Sequence, residues 1–114
     1  MADEVWLSQL KRGLLEMCIL NLLGRETMHG YRLVKALTSV PGLIVTEGTI
    51  YPLLSRLKAE QLVVTTLEES TKGPARKMYR LSPVGRRKRE HMNRTWRGIA
   101  QAVEQLIQEA EDRT

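Results

Sequence analysis

Residues 46–58 read Thr46-Glu47-Gly48-Thr49-Ile50-Tyr51-Pro52-Leu53-Leu54-Ser55-Arg56-Leu57-Lys58, and the fold turns on how they are taken. Ile50, Leu53, Leu54 and Leu57 stand at i, i+3, i+4 and i+7, the spacing that lines apolar groups along one side of an α-helix. Two starts compete. Thr46 as N-cap places Glu47 near the positive helix end. Thr49 as N-cap places Pro52 in the first turn, where its missing N–H costs little. The Thr46 start is favoured, and it sets Pro52 deeper, where a local distortion is expected.

Downstream, residues 62–67 (Leu-Val-Val-Thr-Thr-Leu) are short and β-branched, which predicts a strand. A polar turn over 69–75 follows, with Gly73-Pro74 at its tip. Residues 76–81 predict a second strand, with Tyr79 and Leu81 on one face and Met78 and Arg80 on the other, so the two strands form a hairpin. Ser82-Pro83 then opens a last helix, a serine cap followed by proline at the first helical position, running to about Glu111. Met92, Trp96, Ile99, Val103, Leu106 and Ala110 step by three or four along one face. That stripe has more apolar length than a small domain covers, so a second copy of the chain is the expected partner.

Upstream, residues 7–23 are apolar on most faces, the mark of a helix buried against several neighbours. Gly24 is expected to end it, and Gly13 to separate the stretch before Lys11 as an arm. Residues 25–28 read as a polar connection. His29 to Val40 is helical again, with Tyr31, Val34 and Leu37 on one face, and Pro41-Gly42 breaks the chain. The order is three helices, a two-stranded hairpin and a long helix: a mainly α winged helix-turn-helix. Residues 1–82 form the winged-helix domain with its N-terminal arm, and residues 83–114 form a dimerisation helix. In such a fold the third helix enters a DNA major groove and the hairpin touches backbone or minor groove.

Composition agrees. The chain has 114 residues, 42% hydrophobic and 27% charged, enough for one globular domain. Lys and Arg number 18 against 13 Asp and Glu, net +5, which favours polyanionic partners. The one cysteine, Cys18, excludes an internal disulfide and reads as a small buried hydrophobe. No secretory signal or membrane span is legible, so a cytoplasmic location without membrane contact is expected. His29 and His91 lie far apart with no metal-ligand spacing, His29 reading as a helix-start residue and His91 as exposed. No nucleophile-base set or phosphate loop stands out, so neither an enzyme nor a cofactor is expected.

With these residues in place, the chain resembles the PadR family of transcriptional regulators, in its short subgroup with a single C-terminal helix. The matching residues are Gly13-Leu14-Leu15-Glu16, His29-Gly30-Tyr31, Glu47-Gly48-Thr49-Ile50-Tyr51-Pro52-Leu53-Leu54 with Arg56-Leu57, Gly73-Pro74-Ala75-Arg76-Lys77 with Tyr79-Arg80-Leu81, and Pro83 with Gly85. The resemblance implies a dimeric repressor, often released by a small molecule. It points to Thr49 and Tyr51 as DNA contacts, beside Thr46.

Arg56 and Lys58 are candidate phosphate contacts, and Lys72, Arg76 and Lys77 flank the hairpin tip as candidate wing contacts. The alternatives are a capping role for the threonines, packing of Tyr51 on the second helix, and a solvated hairpin. Trp96, with Met92 and Ile99, reads as dimer core or as the wall of a site for a flat aromatic effector. Trp6 reads as a contact to the partner's last helix or as a surface anchor. Arg86-Arg87-Lys88-Arg89 reads equally as a DNA-backbone contact or as a solvated face pairing with acids such as Glu104 or Glu109 of a second copy.

A twofold dimer implies a pseudo-palindromic operator in double-stranded DNA, with half-sites roughly 34 Å apart. The competing readings are a winged-helix adaptor without DNA binding, which the basic wing opposes, and RNA binding, which five unclustered aromatic residues oppose.

Overall fold

The computed structural model describes residues 2–113. Along the chain run α1 (Ala2–Arg25), β1 (Met28–His29), α2 (Gly30–Thr38), α3 (Glu47–Ala59), β2 (Val63–Glu68), β3 (Arg76–Leu81) and α4 (Pro83–Asp112). The expected helices and hairpin are all present. The third helix starts after Thr46, as favoured, and stays helical through Pro52 without a break.

Three expectations need correction. First, α1 is one continuous helix through Gly13, so no separate arm precedes Lys11. Gly24 lies inside it and is not its terminator. A Cβ there would meet the Arg89 Nε at 2.7 Å, so this glycine admits the arginine of α4. Second, Met28-His29 is a strand, not a plain connection. It pairs antiparallel with β3 (Met28 opposite Tyr79, His29 opposite Met78) and makes a three-stranded sheet in the order β1-β3-β2. Third, α2 buries Leu33, Val34 and Leu37, whereas Tyr31 is 68% exposed. Starting the helix at Gly30 turns Tyr31 outward in the first turn.

The core lies where α1, α2, α3 and the sheet meet: Leu15, Ile19, Leu20 and Leu23 of α1, Leu33 and Leu37 of α2, Ile50, Leu54 and Leu57 of α3, Val63 and Leu81 of the sheet. The stripe that predicted α3 is buried except Leu53, which is partly covered. In β3, Tyr79 and Leu81 face inward and Arg80 outward, as the alternation requires.

Ser82 bolts α4 to the end of α3. Its hydroxyl donates to the Gln61 carbonyl (2.6 Å), its N–H donates to the Leu62 carbonyl (3.0 Å), and the hydroxyl accepts from Gly85 N–H (3.0 Å). Gly85 is required there: a Cβ would stand 3.0 Å from the Leu62 carbonyl carbon and closer still to its oxygen. From this joint α4 projects away, giving a molecule 64 × 32 × 21 Å with a radius of gyration of 16.9 Å. A compact chain of similar size has about 13 Å.

Candidate nucleic-acid interface

The helix of Thr46 to Ala59 carries its leucines inward, so what remains is an outward row. Glu47, Tyr51, Ser55 and Lys58 recur at three- and four-residue steps and all are exposed. Thr46 and Thr49 lie on another flank. Their hydroxyls are 3.5 Å apart, and Thr46 makes no side-chain cap bond. They line a groove with Lys11 and Arg12 of α1 and with Ile44. Ile44 takes φ +44°, a left-handed conformation costly for a β-branched residue, and its carbonyl accepts from Lys11 Nζ at 3.4 Å.

The hairpin places Arg76 and Lys77 at the start of β3, beside the start of α2. A cleft of about 750 Å³ is lined by His29, Gly30, Tyr31, Tyr51, Tyr79, Arg76 and Lys77. Tyr51 and both wing cations therefore open into one space. Tyr51 is 41% exposed and also packs on α2: a Cβ on Gly30 would meet its Cε1 at 3.3 Å, so a larger residue at position 30 would crowd the ring. His29 caps α2, its Nδ1 accepting from Arg32 N–H at 3.2 Å, and its ring stacks near Tyr31 with centroids 6.5 Å apart. Burial and the neighbouring Tyr51 hydroxyl raise the Tyr79 pKa above the ordinary phenol value. Three of the five aromatic residues, distant in sequence, thus meet in one cleft. The tyrosines are clustered in space, whereas in the sequence they stand apart. The legible signal was Tyr79 itself, a phenol on an inward face whose hydroxyl needs a partner.

Other candidates lie elsewhere. Lys72 is exposed in the hairpin turn, its N–H donating to Ser70 Oγ. Arg56 is engaged within the protein, with nitrogens 3.1 Å from Glu16 and 3.1 Å from Glu60. Its pKa is raised, first by the hydrogen bond it donates to the Glu16 carboxylate. Glu16, only 13% exposed at its side chain, also pairs with Lys88 of α4 at 3.3 Å. Lys88 and Arg89 thus face α1, while Arg86 and Arg87 stay exposed. The basic run divides between an internal contact to α1, which is neither a DNA contact nor a solvated face, and a solvated pair.

Met92, Trp96 and Ile99 line a second cleft of about 300 Å³ with Leu10, Leu14 and Met17 of α1. Beyond it Val103, Leu106 and Ile107 are exposed on α4. Among the described residues no group of three or more His, Cys, Asp or Glu is placed to hold a metal ion, and no helix is long and apolar enough to cross a membrane.

Three core helices, the third backed by leucine, and a cationic hairpin at its side make a winged helix-turn-helix. The model of the transcriptional regulator PadR-like family matches residues 19–91, and the chain belongs to that family. The chain is similar to transcriptional regulator Rv3488 of Mycobacterium tuberculosis, 36% identical over 78 residues, 68% of this chain and 71% of that protein. Among solved structures, a PadR-like transcriptional regulator of Bacillus cereus is 37% identical with a TM-score of 0.80, over 88% of this chain and 97% of that one. A PadR family regulator of Eggerthella lenta is 30% identical with a TM-score of 0.79, over 93% and 92%. Membership makes the chain a transcriptional regulator and not an enzyme.

Proposed function

We propose that the chain is a homodimeric repressor that binds a pseudo-palindromic site in double-stranded DNA and is released by a small apolar or aromatic molecule. The observation that carries the reading is the shared cleft: Tyr51 of the reading helix and Arg76 and Lys77 of the wing face one space beside the start of α2. A duplex seated there meets hydroxyl and aromatic groups from the helix and cations from the hairpin, the division between positioning and reading that such folds use. Tyr51 and Lys58 would face the groove, and Arg76, Lys77 and Lys72 the backbone. Thr46 and Thr49 would serve the other flank beside Lys11 and Arg12. Arg56, already held by two carboxylates, is assigned to the protein's own framework.

The exposed stripe of α4 supports the dimer. Trp96, Ile99, Val103, Leu106 and Ile107 are each at least 41% exposed in the single chain, and covering them requires an apolar partner. The cleft between α1 and α4 supports the effector, since about 300 Å³ lined by Leu14, Met17, Met92 and Trp96 reaches the lower size range of small-molecule sites.

Selection of bound duplexes from a random pool, at stated salt, tests the reading. A two-part symmetric motif is expected. A pool that emerges without enrichment removes the DNA-binding function.

A further inference from the structure

Glu16 of α1 follows the core residue Leu15, and its side chain is only 13% exposed. A carboxylate so far out of water is costly unless its oxygens meet cations or donors. Its two oxygens are divided between two other helices. Oε2 accepts from Arg56 Nη2 of α3 at 3.1 Å. Oε1 is buried without a hydrogen bond, and its charge partner is Lys88 Nζ of α4 at 3.3 Å. Arg56 and Lys88 carry like charge, so the anion between them is what draws α3 and α4 together at this place. The Ser82 joint fixes where α4 leaves the end of α3. Lys88 lies about 9 Å further along, at the helical rise per residue, and a second hold at that distance secures the direction of α4 as well. Arg89 and Asn93 bond α4 to Asn21 of α1 and not to α3.

We infer that Glu16 is a positioning residue: it locks the direction of α4 against α3 and so sets the distance between the two copies of α3 in the dimer. The inference rests on the proposed DNA-binding homodimer and adds a determinant of specificity to it. Glu16 itself touches no DNA. It governs which spacing of half-sites the dimer accepts, and not the sequence read within either half-site.

The test uses the full chain and duplexes that the wild type enriches from a random pool, each remade with one base pair added to or removed from the gap between half-sites. The wild type should lose about tenfold or more on either change. Glu16→Gln keeps the shape of the side chain and removes its charge, and its loss on the same duplexes should be about threefold or less. Lys88→Met should behave like Glu16→Gln, and Lys88→Arg like the wild type. The salt slope should hold in all of them, since no phosphate contact is lost. A merely destabilised protein would bind every duplex more weakly in proportion and keep the wild-type penalty. A measurement without DNA tests the joint itself. Either cation alone satisfies Glu16, so Arg56→Met with Lys88→Met should lower the urea midpoint by more than the sum of the single shifts. In the Glu16→Gln background the two shifts should add.

Enrichment together with an unchanged spacing penalty in Glu16→Gln and Lys88→Met overturns the positioning role and leaves the DNA reading intact. So do additive midpoint shifts in the wild-type background, or a salt slope flattened by Lys88→Met. Enrichment of a single half-site without a mate overturns the dimer reading and the spacing role with it. A wild-type protein that enriches no duplex overturns the DNA reading and the inference together.

Discussion

Asn21 of α1 and Asn93 of α4 exchange amide hydrogen bonds in both directions, at 2.8 Å and 2.9 Å, across the helix crossing. Asn21 also donates to the Met17 carbonyl, and Arg89 reaches its oxygen at 3.5 Å. The pair sits beside the Met17 and Trp96 side chains, so polar groups set the register of two helices that otherwise meet through apolar surface.

Breaking the pair from either side leaves a half-buried amide without its partner. Asn21→Ala and Asn93→Ala should each cost about 1–3 kcal/mol, and the double variant clearly less than their sum. Urea denaturation of the four proteins checks this; strictly additive losses would show that the amides do not act as a unit.

Gly85 has no room for a methyl group against the Leu62 carbonyl, whereas Gly98 has nothing within 4 Å of a built Cβ. Gly85→Ala should therefore destabilise by about 1–3 kcal/mol or more. Gly98→Ala should stabilise α4 by about 0.5–1 kcal/mol. The two denaturation midpoints should move in opposite directions.

The wing and the framework cation should separate in their salt behaviour. Lys77→Ala should weaken DNA binding on all sequences and flatten the salt slope by about one unit. Arg56→Ala, which loses contacts to Glu16 and Glu60, should leave the slope alone. Equal slopes for Lys77→Ala and wild type would remove the wing from the contact surface.

Burial raises the Cys18 pKa above the ordinary thiol value of 9.0. The folded chain thus holds this proton more tightly than the unfolded one. The resulting contribution to stability is fully present below about pH 9 and declines as pH rises through the folded pKa. Alkylation of Cys18 at pH 8 should run well below the rate of the urea-unfolded chain. Matching rates would place the thiol in open solvent.

Leu106 is 65% exposed on the α4 stripe. In the proposed dimer Leu106→Glu buries two charges near the twofold axis, and sedimentation should show a shift toward monomer. An unchanged sedimentation coefficient for a wild-type dimer would move the interface off this face.

What the sequence revealed, and what it hid, follows from the range of each signal. Ile50, Leu53, Leu54 and Leu57 carry a full helical period, and Ser82-Pro83 a complete cap, so α3 and the start of α4 were legible locally. Met28-His29 is too short to alternate and becomes a strand only because β3 offers its free edge. Gly13 was read as a break by propensity, yet one glycine costs only about 1 kcal/mol within a helix anchored by Leu15, Ile19 and Leu20. The fit of Arg89 over Gly24, the capture of Arg56 by Glu16, and the meeting of Tyr31, Tyr51 and Tyr79 join residues 20 to 65 positions apart. No periodicity reports such pairs.

The Ser82 joint leaves α4 little freedom to swivel independently of the reading helix. A 30-residue helix is about 45 Å long. In the proposed dimer, a tilt of roughly 5° where two such tails cross would carry each head about 4 Å, given that helical rise per residue. With no compliant segment at Ser82 to absorb the angle, the proposed effector beside Trp96 would not need to approach the DNA at all. It would act as a lever, putting two otherwise intact heads out of step with the pitch of the double helix.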